Sequence, residues 1–176
     1  MENAREFLIH GLSDMLDAER KILGILEESQ EEVNNDQLRK ALELHHKQTE
    51  HQIDRLEKCF DELDEEPLQA DCKGIEGLKQ EKEEFMKEDP TDDLLDIFTV
   101  GAAAKVEHYE IASYTFLIDH AEQLGLKKAV RLLQQNLHEE EQTLKKMENF
   151  SSRLKPENTG MEEEEQEMPR RGRKAA

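Results

Sequence analysis

The chain has 176 residues, 38% charged and 35% hydrophobic, with no tryptophan and four prolines, a composition that favours helix over strand and suffices for one sizeable core. No apolar run approaches the roughly 18 residues that span a bilayer, and the first ten residues lack the basic start and apolar centre of a secretory signal, so the cytoplasm is the expected compartment. The formal charge of −19 falls wholly within residues 1–150, because acidic and basic side chains balance in 151–176; such a body repels phosphate backbones and attracts cations.

Apolar residues recur three and four apart in four long segments, which predicts amphipathic helices. The first is expected over residues 3–29, with Leu8, Leu12, Met15, Leu16, Ile22, Leu23 and Leu26 on one face. Asn34, Asn35 and Asp36 offer a turn and a cap for a second helix reaching about residue 65, with Leu38, Leu42, Ile53, Leu56, Phe60 and Leu63 inward. A shorter helix is expected over 74–88. Asp89-Pro90-Thr91 then breaks the chain and caps a third long helix over 92–123. Gly125 marks the next turn, and a fourth long helix is expected over 126–153. Residues 154–176 read as a disordered charged tail. Its Arg170-Arg171-Gly172-Arg173 run could touch nucleic acid only weakly, given the acidic residues that precede it. Cys59 and Cys72 make no disulfide framework and read as reduced residues.

The links between helices one and two and between three and four are short, so each pair should form an antiparallel hairpin. The link between the hairpins is roughly 25 residues and holds the short helix. An all-α, ferritin-like four-helix bundle with a long crossover containing a short fifth helix is the fold class these lengths predict.

Several carboxylates fall where apolar residues belong. Glu19 sits between Leu16 and Ile22 on the first stripe, and Glu140 sits between Leu137 and Leu144 on the last. Glu107 falls on the stripe of Val100, Ala103, Ala104, Ile111 and Tyr114, and Glu110 borders it one turn on. An ionised carboxylate on a buried seam costs several kcal/mol unless it is compensated. Glu107 and Glu140 lie close to the midpoints of their helices, Glu50 close to that of the second, and Glu19 about 4.5 Å beyond its own at 1.5 Å per residue. Midpoints meet at one height in an antiparallel bundle. On the second helix Thr49 is central with His45 beside it, while Glu50 and His46 lie on the edge. Glu50 is the carboxylate expected to join the others, ahead of His46, whose Glu43-x-x-His46 pattern begins a turn early. About a quarter of the residues are acidic, so any one Glu near a seam is unremarkable, and it is the coincidence of depth that points to bound cations. Hard oxygen donors suit two divalent ions, iron first and manganese second.

The segments at 12–23 (LSDMLDAERKIL), 45–60 (HHKQTEHQIDRLEKCF), 102–114 (AAAKVEHYEIASY) and 132–147 (LLQQNLHEEEQTLKKM) resemble the YciE/YciF family of ferritin-like proteins over about residues 3–150. The resemblance implies a ferritin-like fold, homodimers, an association with bacterial stress and a di-iron or di-manganese centre. By similarity to rubrerythrin-type sites it places ligands at Glu19, Glu107, Glu110 and Glu140. Many relatives are acidic where this chain has Lys47, but the helical wheel turns position 47 away from the core. The expected activity is a di-metal oxidoreductase that oxidises ferrous iron with peroxide or dioxygen, or consumes peroxide. The alternative is a non-catalytic dimeric binding protein whose metal is structural or absent.

Overall fold

Five helices make up residues 1–159, the part of the chain that the computed structural model describes: α1 (Ala4–Glu32), α2 (Asp36–Leu63), α3 (Lys73–Met86), α4 (Asp92–Gln123) and α5 (Lys127–Ser151). Among the described residues there is no strand, and no helix is long and apolar enough to cross a membrane. Residues 160–176, most of the expected charged tail with its Arg-Gly-Arg run, lie outside the described residues.

α1 is three residues longer at its C-terminus than the sequence predicts. The cause is Arg39, whose guanidinium donates to the Gln30 and Val33 carbonyls and satisfies acceptors that an isolated helix end leaves to water. The extension makes Ala18 the central residue of α1, so Glu19 lies almost at mid-height. Asn35 then starts α2, its side-chain oxygen accepting from the Gln37 and Leu38 amides at 2.9 and 3.0 Å. The turn between α1 and α2 is held from the other hairpin. The buried Asp96 carboxylate of α4 accepts from the Asn34 and Asn35 amides at 2.8 and 3.0 Å.

The crossover runs along the bundle beside α1. The Cys72 amide, at the start of α3, donates to Asp17 at 2.8 Å, and Lys82, near its end, pairs with Glu32 at 2.7 Å. Fifteen residues of α1 are therefore bridged by ten of the crossover, which carries the chain from the open end of the first hairpin to the start of the second. Phe85 stacks on Phe98 with centroids 3.9 Å apart and fixes α3 to α4.

The second hairpin turns at Gly125, whose φ of 72° an L side chain rarely adopts, with the Leu126 amide donating back to the Ala121 carbonyl at 3.0 Å. The N-terminus of α5 has no cap of its own, and Glu62 of α2 supplies one, accepting from the Lys128 and Ala129 amides at 3.2 and 2.5 Å. Replacing Glu62 with alanine should cost about 1 kcal/mol and lower the melting temperature by roughly 2–4 °C, measured by circular dichroism.

The core is the seam between the hairpins, built from Leu8, Leu12, Leu16, Leu38, Leu42, Leu56, Phe60, Leu133 and Met147 among others. Cys59 and Cys72 are both free and buried. The chain stays attached to the bundle past the expected boundary at residue 153, because Leu154 packs on the core and the Glu157 amide donates to Asp93 at 2.7 Å.

Candidate metal centre

The middle of this apolar seam is interrupted by charge. α1 contributes Glu19, α2 His45, α4 both Glu107 and Glu110 one turn apart, and α5 Glu140, none more than 2% exposed. One ligand atom each from His45, Glu107, Glu110 and Glu140 lies within 4.8 Å of all the others. His45 Nε2 is 3.4 Å from Glu107 Oε1, and its Nδ1 is 4.0 Å from Glu140 Oε2. Glu19 approaches the group from the α1 side, beside Glu110.

A polar scaffold holds the outer oxygens. The Tyr114 hydroxyl donates to Glu19 Oε1, and Asn136 Nδ2 donates to the Tyr114 oxygen at 2.8 Å. Gln52 donates to Glu140 Oε1 and, at 3.0 Å, to Glu139, which also accepts from Arg55. The inner atoms are different. Glu19 Oε2, Glu107 Oε2, both oxygens of Glu110, Glu140 Oε2 and both ring nitrogens of His45 are buried with no hydrogen-bond partner among the described residues. Buried polar atoms in native proteins are nearly always satisfied, so seven left over in one place mark where protons, water or a bound ion would sit.

Electrostatics agree. Burial raises all four carboxyls above the usual carboxylate range. Glu140 is pushed up to about 7, and its charge and that of Glu19 raise Glu107 and Glu110 further. Burial lowers His45 to about 4, so its ring is neutral at physiological pH, the form that binds metals. Without a cation the group is comfortable only by holding protons. Four buried carboxyl groups and one neutral imidazole are the donors that a hard or borderline divalent ion takes.

The structure thus brings together four of the five residues singled out from the sequence. Glu50 does not join them. Its side chain is 56% exposed and lies 4.0 Å from His46, on the outer flank of α2. It sits about 100° around the helix from the inward-facing Thr49, so no rotamer returns it to the core. α2 instead contributes His45, one turn before the buried Thr49. The helical wheel sets His45 beside the centre of the stripe, but nothing in the sequence favours an imidazole over a carboxylate there. Lys47 is exposed, as the wheel implies, and takes nothing from the site. Replacing His45 with alanine should weaken divalent-metal binding by about 10–100-fold, whereas Glu50→Ala should leave it within about twofold; titration calorimetry with manganese distinguishes the two.

Residues 3–159 match the family model described as Domain of unknown function (DUF892). The chain is 35% identical over 144 residues to Protein YciF of Escherichia coli, an alignment covering 81% of this chain and 87% of the relative. The crystal structure of the E. coli stress protein YciF superposes with a TM-score of 0.84 at 33% identity, over 88% of this chain and 98% of that one. YcfI of Rhodopseudomonas palustris, for which a structural role has been suggested, gives 0.81 at 37% identity, over 84% and 94%. A protein from Xanthomonas campestris pv. campestris shares the fold at 20% identity, with a TM-score of 0.70 over 86% of this chain and 93% of that one. A ferritin-like bundle with a buried histidine–carboxylate group at mid-height, matched along nearly its whole length to these proteins, belongs to the DUF892 family that includes YciF.

Proposed function

We propose that the protein binds two divalent cations, iron or manganese, between its four long helices and uses the centre to oxidise ferrous iron with peroxide or dioxygen, or to consume peroxide, under stress. The observation that carries this reading is the set of seven buried, partnerless polar atoms on His45 and the four glutamates. His45, Glu107, Glu110 and Glu140 would hold one ion, and Glu19, whose Oε2 is unpaired, would help Glu110 hold a second. Four carboxylates balance two doubly charged ions with no net charge left in the core.

Bound iron would supply one-electron redox chemistry and Lewis acidity, and anionic oxygen donors favour its ferric state. The chain's own groups do the rest. Tyr114 and Gln52 fix one oxygen of Glu19 and of Glu140, leaving the other free to bind. Glu110, with neither oxygen tethered, is the carboxylate able to change its mode of attachment. Leu16, Ile22, Leu133 and Met147, all buried on the helices that carry the ligands, exclude bulk water. Free thiols at Cys59 and Cys72 suit a reducing compartment such as the cytoplasm.

Elemental analysis after growth with iron and manganese should find about two metal atoms per chain, the number that four carboxylates neutralise. Anaerobic loading with ferrous iron followed by peroxide should then give rapid oxidation, slowed by about a hundredfold or more in Glu107→Ala. Metal-free wild-type protein, or a Glu107→Ala variant as fast as wild type, would sink the proposal.

A second reading, a dimeric binding protein with structural or absent metal, draws on the outer face of α4. There Gly101, Ala112 and Phe116 are exposed, and Phe116 packs edge-on to the exposed Phe7 of α1 at 5.6 Å. Exposed aromatic rings on so acidic a body, flanked on the same face by Lys105, His108 and Asp119, are the place for a second copy to meet it. Sedimentation of the metal-free and loaded protein tests this: a dimer without metal uptake favours the second reading.

A further inference from the structure

A narrow cavity of about 40 Å³ adjoins the metal centre between α1, α2, α3 and α4. It follows α1 from Ile22 to Ser29 and α4 from Glu107 back to Phe98, about 10 to 14 Å at 1.5 Å per residue. His45 and Glu107 close its inner end, and Ser29 and Lys82 its outer end. Between them the walls are Ile25, Leu42, Leu78, Ala103 and Val106, with the Phe98 ring backed by Phe85.

Its chemistry is selective. Lys82 is buried and already neutralised, donating to Ser29 Oγ at 3.0 Å and pairing with Glu32 at 2.7 Å, so it offers no open charge to an anionic headgroup. A hydrated ferrous or manganous ion would have to shed its water along the aliphatic stretch, which offers it no oxygen ligands. The volume exceeds the 10–15 Å³ or so that one water needs, yet it cannot take a long acyl chain. Water or hydrogen peroxide inside would leave hydrogen bonds unmade along the aliphatic stretch, while a small apolar molecule loses nothing there.

We infer that this cavity admits dioxygen to the metal centre, and that dioxygen rather than peroxide reaches the site from the Lys82 side. The inference rests on the metal-binding reading above and specifies its oxidant. In balance, one dioxygen takes one electron from each of two ferrous ions and two protons from solvent, giving two ferric ions and one hydrogen peroxide. Ala103 faces the cavity midway and decides whether it is open.

Xenon serves as a probe that reports occupancy without turnover. Metal-free wild-type protein should take up xenon next to Val106 and Ala103, seen as xenon-induced chemical-shift changes in their methyl groups, and Ala103→Leu should lose it. In iron-loaded full-length protein, Ala103→Leu should slow oxidation by dioxygen about tenfold or more while changing peroxide oxidation less than about twofold. Leu78→Ala, which widens the same cavity, should keep xenon uptake and the dioxygen rate. Wild-type protein that binds metal but no xenon, or an Ala103→Leu variant that slows both oxidants equally, overturns the inference alone. Wild-type protein that binds no metal overturns the metal reading and this one together.

Discussion

Replacing Glu110 with glutamine is expected to stabilise the metal-free protein at neutral pH and, in the same molecule, to remove most of its stabilisation by metal. Both oxygens of Glu110 are buried without a partner, and burial with the nearby charges of Glu140, Glu19 and Glu107 raises its carboxyl well above the ordinary 4.5. The unfolded chain gives up that proton near pH 4.5 and the metal-free fold keeps it, so folding loses up to about 1.4 kcal/mol per pH unit above that point. Glutamine has the same shape and no proton to lose, and its amide can donate to the orphan oxygen of Glu19. The advantage of the variant should therefore grow with pH and vanish near pH 4.5. Wild type at a hundredfold excess of metal over Kd should gain about 2.7 kcal/mol, roughly 5–10 °C in Tm, while the variant gains little. A variant less stable than wild type at pH 7.5 without metal would show that Glu110 is satisfied by something other than a cation.

The metal itself should stabilise the fold strongly at pH 7.5 and weakly at pH 5. The carboxyls of Glu19, Glu107, Glu110 and Glu140 are all raised in the fold, so their favourable contribution is complete below about 4.5 and is lost as pH climbs through their folded values, about 7 for Glu140. His45 acts in the opposite sense. Its folded value of about 4 lies below the ordinary 6.5, so its neutral burial weighs against folding as pH falls from 6.5 towards 4. Metal must displace the carboxyl protons, so its affinity should rise by up to about tenfold per pH unit for each proton released. One or more protons per chain should be released at neutral pH, because burial holds them on the carboxyls of the metal-free centre. Calorimetry in buffers of different ionisation enthalpy measures that number. A metal affinity unchanged between pH 5.5 and 7.5 would mean that the ions sit elsewhere.

Much of this was written in the spacing of apolar residues. The stripes of α1, α2, α4 and α5 and the length of the crossover carried the bundle, because a helix in water must bury whichever face repeats every 3.6 residues. The same repeat exposed Glu19, Glu107 and Glu140 as residues on the wrong side of their helices, and Glu110 as their neighbour. Position along the helix placed them at one height. It failed on α2, where the inward positions carry His45, Thr49 and Gln52, none of them acidic. A search for carboxylates could only find Glu50, on the flank. The extension of α1 to Glu32 depends on Arg39 reaching back across a turn, and the capping of α5 depends on Glu62 of another helix. Such contacts between distant residues leave no periodic trace.

One of those distant contacts bears on how the protein could be altered. Asp96 binds the two backbone amides of the α1–α2 turn from within the first two turns of α4, near one end of the rod-shaped molecule. A helix slipping along its neighbour moves in steps of one turn, about 5.4 Å, which would carry Glu107 and Glu110 out of reach of His45. The carboxylate at position 96 acts as an alignment pin against that slip. The pin lies some eleven residues up α4 from Glu107, so the spacing between the two is a length that the chain can neither add to nor trim, and a single residue inserted into α4 between them should spoil the centre while every ligand remains in the sequence.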